Sequence, residues 1–258
     1  MEEKSIRYHL IDSIRGITII SMILYHGSWD MVHIYHYDWA WFDSNLASIW
    51  QLSICLVFIF LAGFCWPISK HPIKHGLIVF FCGALVSLVT LIVMPEEPIL
   101  FGILTFLGSA MLFMVFLDQF LKKIPSYIGI LFCILLFIIS YPVNEHYLNF
   151  SFLSFGIQPL SFLQMVRLPS ILYTGDFATF LGFTAPGFIS ADYYSFFPWF
   201  FLFSMGYFFY PIMKENLSFQ KLSSIKIKPL SFIGRHSLLI YVLHQPIVYG
   251  ILIFVHLL

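Results

Sequence analysis

The chain has 258 residues, of which 60% are hydrophobic, 20% aromatic and only 10% charged, with a mean hydropathy of +0.89. A soluble domain carries about 25% charged residues, so a water-solvated globular fold is excluded: a chain this apolar has too little polar surface to cover itself. The formal net charge is zero, and nothing in the sequence points to nucleic acid.

The chain opens on "MEEKSIRYHL", which lacks a signal-peptide pattern and reads as a cytoplasmic lead-in. Apolar runs follow at about 14–33, 46–68, 76–94, 99–120, 126–142, 195–213 and 236–257. Each approaches the roughly 20 residues that carry a helix across a hydrocarbon core, whereas alternating ten-residue strands of a barrel are absent. The fold class is therefore all-α: a polytopic membrane helix bundle of about seven transmembrane helices, read as one domain over 1–258. An eighth element has room in the long connection 143–194, which is aromatic and broken by Gly and Pro, with a short re-entrant or interfacial helix expected within 161–183. The segment 214–235 reads as a cytoplasmic loop with four lysines, suited to orientation and to anionic lipid. The cysteines Cys55, Cys65, Cys82 and Cys133 all lie inside apolar runs without CxxC spacing, so neither a disulfide frame nor a zinc site is indicated.

Lysine and arginine set the orientation. With the N-terminus inside, the inner face holds Lys4, Arg7, Arg15, Lys70, Lys74, Lys122, Lys123, Lys214, Lys221, Lys226, Lys228 and Arg235, and the outer face holds Arg167. The C-terminus then lies outside, and acids such as Asp30, Asp38, Asp43, Asp176 and Asp192 gather on the outer side. One missed span would scramble this bias, so it also supports the count of runs.

Ionisable groups inside such runs mark pathways and sites. At 1.5 Å per residue, His26 lies about 17 Å beyond Arg15 and His244 about 14 Å beyond Arg235, both near the middle of a core about 30 Å thick. His36 falls at the outer boundary if the first helix continues to it. The pattern is arginines at the inner mouth, histidines at mid-depth, and a histidine with acids at the outer rim. In "YVLHQPIVYG" (241–250) Pro246 lacks a backbone donor and crowds the preceding turn, so a kink is expected beside His244 and Gln245. His26, Asp30 and His33 recur at helical spacing; two histidines and a carboxylate can bind a metal, but no second cluster completes a shell, and no metal is expected. A histidine that accepts and returns protons near neutral pH is the better reading, set against plain interfacial decoration. On the inner side, "SKHPIKHG" (69–76) offers Lys70 and Lys74 to phosphates, and "FIGRHS" (232–237) places Arg235 near a helix N-terminus, where an anion is favoured. No Walker loop, dinucleotide fingerprint or nucleophile elbow occurs.

Four stretches, "IDSIRGITIISMILYH", "PILFGILTFLGSAML", "SADYYSFFPWFFLFSMGYFFY" and "FIGRHSLLIYVLHQPIVYGIL", resemble the catalytic-domain family of heparan-alpha-glucosaminide N-acetyltransferase, and more closely its bacterial members. The resemblance covers residues 7–258, with the D-x-x-R-G opening and the G-R-x-S-L-x-I-Y-x-x-H-Q-P close as its most specific parts. It implies acyl transfer across a membrane, from cytosolic acetyl-CoA to an acceptor on the far side. The family's catalytic histidine follows the first span in an H-x-x-W setting, which "HYDW" places on His36 before Trp39. A family asparagine falls close to His26, and Thr105 stands where bacterial members often carry histidine.

Depth and resemblance together give one expectation. Acetyl-CoA acts as co-substrate, with no permanently bound cofactor; its phosphates meet Arg15, Lys70, Lys74 or Arg235, and its pantetheine arm passes His244, Gln245 and His26. His36 acts as general base, oriented by Asp30 or Asp38 as in a triad. The aromatic outer loop, with Asp192 and Trp39, receives an extracytoplasmic glycan or glycolipid amine or hydroxyl. The setting expected is a bacterial plasma membrane with lipid partners, and assembly into a homo-oligomer is left open. The alternative is a proton-coupled small-molecule transporter that uses His26 and His244.

Overall fold

The computed structural model describes residues 8–151 and 165–257. Lys4 and Arg7 of the expected inner face, and residues 152–164 of the long connection, lie outside the described residues. The chain forms two compact units, one of residues 1–61 with 212–258 and the other of residues 62–211.

Seven long helices stand on the seven apolar runs: α1 (His9–His33), α2 (Asn45–Cys65), α3 (Pro72–Val93), α4 (Ile103–Leu121), α5 (Ser126–Ser140), α7 (Phe196–Glu215) and α10 (Ser237–Leu257). Shorter helices are α6 (Asp176–Leu181), α8 (Leu217–Ser223) and α9 (Lys228–Arg235). All of the long ones except α1 are long and apolar enough to cross a membrane. The first helix falls short on composition because it carries Asp12, Arg15, His26 and Asp30. Large apolar side chains such as Leu77, Phe81, Leu88 and Ile92 of α3 point outward. Water would not tolerate a whole helix of this kind, and lipid does. The protein is an integral membrane protein with an all-α bundle.

In the first unit, α1 is the organising element and packs against α8, α9 and α10. Its crossing with α9 is made by two glycines: a Cβ on Gly16 would stand 2.2 Å from the Leu230 carbonyl oxygen, and one on Gly234 would stand 1.8 Å from that of Asp12. At the same crossing the hydroxyls of Ser13 and Ser231 meet at 2.9 Å, both buried. Further along α1, Ile19, Met22 and Tyr25 join Phe42, Ala47 and Ile54 in an apolar core, and Trp50 Nε1 donates to Ser21 Oγ at 2.7 Å.

The segment 214–235, expected as a loop, is instead two short helices. Asn216 caps α8 by accepting from the Phe219 amide at 3.0 Å, and a proline stands in the first turn of α9. The lysine count hides an amphipathic pattern only two turns long, whose inner face, Ser231 and Gly234, is buried.

In the second unit α3 and α4 pack closely, with Gly108 against the Phe80 backbone and Gly83 against Thr105. Trp66 Nε1 donates to the Met111 carbonyl at 3.0 Å, and the Tyr207 hydroxyl donates to Asp118 Oδ1 at 2.7 Å. No disulfide joins the four cysteines. The connection between α5 and α7 holds no further span among the described residues. Among those residues it carries a 3-10 helix at Tyr141–Glu145, an antiparallel pair, β1 (Tyr147–Asn149) and β2 (Met165–Arg167), with Leu148 opposite Val166, a 3-10 turn at Ser170–Leu172 and the six-residue α6. Gly and Pro limit each described helix here to two turns or fewer.

Tyr173 locks this connection. It is 1% exposed, its ring stacks on His146 at 3.5 Å, and its hydroxyl donates to the Val143 carbonyl at 2.6 Å. Burial holds its phenol above the ordinary range, so it remains a donor at neutral pH. Tyr173→Phe removes that bond and leaves the Val143 carbonyl with the His146 amide as its donor, and the expected cost is about 1 kcal/mol, the net worth of one hydrogen bond. A thermal melt of the detergent-solubilised protein should fall by about 2–4 °C per kcal/mol.

Candidate active site

The first unit brings together residues from the two ends of the sequence. On α1, Arg15, His26 and Asp30 are spaced by eleven and four residues, about three turns and one turn, so they share one stripe. On α10, His244 and Gln245 face that stripe. Asp30 is completely buried, and both its oxygens accept from Gln245 Nε2, at 2.8 and 3.0 Å. The rings of His26 and His244 lie 4.9 Å apart, tilted by 55°, and Tyr25 meets His26 edge-on at 5.8 Å.

The state of His244 follows from its partner. Its Nδ1 is hydrogen-bonded to the Tyr241 carbonyl, which can only accept, so Nδ1 carries the proton and the neutral ring keeps its lone pair on Nε2. That Nε2 is buried and has no hydrogen-bond partner among the described residues, as is true of Gln245 Oε1 on the adjacent residue. His244 itself is 8% exposed. Buried acceptors without donors cost free energy, so native structures keep few of them. Two on consecutive residues leave acceptor capacity there for N–H or O–H groups. The helix runs on unbroken through Pro246, so the proline supplies no break beside His244.

Beyond the cluster α1 stops. The Asp30 carbonyl accepts from both Ile34 and Tyr35 amides, at 2.9 and 3.1 Å, and the chain then turns at His36, whose φ of 57° is left-handed. His36 is exposed and makes no hydrogen bond or ring contact among the described residues. Neither Asp30 nor Asp38 bonds to it there: the Asp30 carboxylate is taken by Gln245, and Asp38 is exposed. Trp39 is half-buried, stacked with Trp41 at 6.1 Å and packed on the apolar core. The Tyr35 ring lies 3.9 Å from that of His256, which ties the end of α1 to the end of α10.

Towards the other end, Arg15 is half-buried on α1 and Arg235 is exposed at the end of α9. Arg235 Nε donates to the Ser231 carbonyl at 3.1 Å, and its guanidinium lies 5.9 Å from the centroid of the Phe232 ring. Of the other expected residues, Lys70, Lys74 and Asp192 belong to the second unit. Both lysines are exposed at the start of α3, and Asp192 is half-buried, with a carboxylate oxygen 3.3 Å from where a Cβ of Gly102 would stand. Among the described residues no three His, Cys, Asp or Glu side chains assemble as a metal site.

The bond between Asp30 and Gln245 and the clamp of Tyr241 on His244 are the features that sequence reasoning missed. The i−3 placement of Tyr241 before His244 is the local signal for the clamp. The Asp30 pairing spans 215 positions and has no local signal.

No curated protein and no solved structure matches the chain. The sequence model described as the catalytic domain of heparan-alpha-glucosaminide N-acetyltransferase matches residues 7–246, a stretch that contains α1, Asp30, His36, His244 and Gln245. The chain belongs to the heparan-alpha-glucosaminide N-acetyltransferase catalytic family, a family of membrane acetyltransferases.

Proposed function

We propose that the protein is a plasma-membrane acyltransferase that moves an acetyl group from cytosolic acetyl-CoA to an amine or hydroxyl of an extracytoplasmic sugar or glycolipid. The observation that carries this reading is the cluster of buried Asp30 and His244 with half-buried Gln245 and His26, which holds two buried acceptor atoms without a partner among the described residues. The pantetheine arm of acetyl-CoA is a thin chain with two amide N–H donors, and His244 Nε2 and Gln245 Oε1 are acceptors for such donors. Asp30 holds Gln245 by its amide nitrogen, and so turns Oε1 away from the carboxylate and towards the ligand. Arg15 and Arg235 supply the cations for the phosphates of the nucleotide, on the side of the cluster away from the rim.

The chemistry belongs at the rim. His36 follows the cluster by six residues from Asp30, and its ring nitrogens make no hydrogen bond among the described residues. It takes the proton from the acceptor amine or hydroxyl as that group attacks the thioester carbonyl; the carbon–sulfur bond breaks and the thiol of CoA leaves. Trp39, stacked with Trp41, offers an aromatic face for a sugar ring on the same side.

The test is full-length protein in liposomes, with labelled acetyl-CoA added on one side and an amino sugar or glycolipid acceptor on the other. Label appearing covalently on the acceptor, with release of free CoA thiol, is the expected result. Acceptor counterflow without consumption of acetyl-CoA would instead establish a proton-coupled carrier built on the His26–His244 pair.

A further inference from the structure

We infer that the second unit carries a binding site for a single anionic phospholipid, on α3. This site is separate from the one proposed for catalysis and does not depend on it. A groove of about 850 Å³ runs along α3 against Val115 of α4, a volume within the range of small-molecule clefts, about 300–1,000 Å³. Its mouth is formed by Lys70, His71 and Lys74, and its floor and walls include Leu77, Phe81 and Leu85, with no acidic residue among the lining. Neither lysine has an ion-pair partner among the described residues.

Three features select the occupant. The first is length: from Ile73 to Leu85 the groove follows twelve residues of helix, about 18 Å, which is on the order of one leaflet of a core about 30 Å thick. The second is polarity: the cations sit only at one end, at the start of α3, and beyond them the lining is apolar, so a headgroup and an acyl chain are both matched in order. The third is exposure: Ile73, Leu77, Phe81 and Leu85 are all open, so a lipid enters sideways from the bilayer without any gate. A soluble nucleotide leaves the apolar length of the groove unused. Lys70 and Lys74, expected from the sequence to hold acetyl-CoA, are here assigned to a lipid phosphate, with His71 beside them as a further donor.

Native mass spectrometry of the detergent-solubilised full chain, titrated with a dioleoyl phosphatidylglycerol and separately with the phosphatidylcholine of the same chains, tests this. Each lysine near an anionic headgroup contributes about 1 kcal/mol, so phosphatidylglycerol should bind at a concentration about tenfold or more below phosphatidylcholine. Lys70→Gln with Lys74→Gln should bring the two lipids to the same concentration. Leu77→Trp, which fills the groove and keeps its charge, should weaken both. Size-exclusion profiles establish that each variant is folded, and the comparison of the two lipids on the unaltered protein stands without any variant. Equal binding of the two lipids, full retention of phosphatidylglycerol by the double-lysine variant, or displacement of phosphatidylglycerol by glycerol phosphate or by acetyl-CoA would each overturn the assignment.

Discussion

Gly234→Ala is expected to loosen α9 from α1 and to lower the melting temperature by about 6–12 °C. The added Cβ would lie 1.8 Å from the Asp12 carbonyl oxygen, 2.7 Å from its carbon and 3.0 Å from the Gly16 nitrogen. All three are backbone atoms of a helix, so no side chain can swing aside, and the two helices must part by more than 1 Å. Parting them breaks the buried pairing of Ser13 with Ser231 and opens the packing of Leu230 on Gly16. Overpacking typically costs 1–3 kcal/mol where side chains can adjust; against rigid backbone the expected cost is about 3 kcal/mol or more, a fall in melting temperature of about 6–12 °C. Gly250→Ala on α10 is the matched comparison. Nothing lies within 4 Å of a Cβ there, and replacing a helical glycine gains up to about 1 kcal/mol, so that variant should melt at or slightly above the parent. If the two variants melted alike, α9 would not be docked through Gly234.

The long helices were legible because lipid imposes one strong rule: an apolar run of about 20 residues must satisfy its own backbone. Each of the seven runs became a helix whose bounds differ from the expectation mainly at the ends, as in 14–33 against His9–His33. The start of α1 was hidden because Asp12 and Arg15 break the apolarity, although the backbone pays nothing for them where α9 covers it. The helices α8 and α9 were not legible for the opposite reason. They lie where lysines dominate, and eight residues are too few for periodicity to stand above composition. In the connection after α5, the fixed positions come from single side chains, Tyr173 on His146 and Tyr193 on the Thr179 carbonyl, and such contacts have no periodic signature.

The site was half legible. Counting helix rise gave His26 and His244 similar depths from two independent arginines, and their rings do meet. Depth is a one-dimensional quantity, and straight helices preserve it. Azimuth is not read so easily: spacing grouped His26 and Asp30 with His33, which instead stacks on Trp29, and the partner face on α10 was not visible, because rotation of one helix against another depends on packing across the whole interface. The same limit applies to His36. Rise arithmetic assumed that the first helix continues to it, but the helix stops at His33 and the chain turns at His36 with φ 57°, so helix rise no longer sets its depth.

Two variants should separate binding from chemistry. His36→Ala removes the proposed base, which makes no hydrogen bond or ring contact among the described residues, so the fold and the cluster should stay intact. Acetyl-CoA should bind with its affinity unchanged within about threefold, while the rate of transfer falls by about 10²–10⁴, the usual contribution of a positioned general base. His244→Ala removes one buried acceptor and the ring packed on His26, without touching the rim. It should weaken acetyl-CoA binding by about tenfold, the size of one net hydrogen bond to an amide donor, and lower transfer mainly at subsaturating acetyl-CoA. The two effects arise at different places along one path, so they should multiply in the double variant. The measurements are equilibrium binding of acetyl-CoA to protein in nanodiscs and initial rates of transfer across a range of acetyl-CoA concentrations. A reversed pattern, with His244→Ala abolishing transfer at saturation and His36→Ala nearly harmless, would move the base into the buried cluster. The tautomer fixed by the Tyr241 carbonyl would then make Nε2 of His244 the atom that takes the proton.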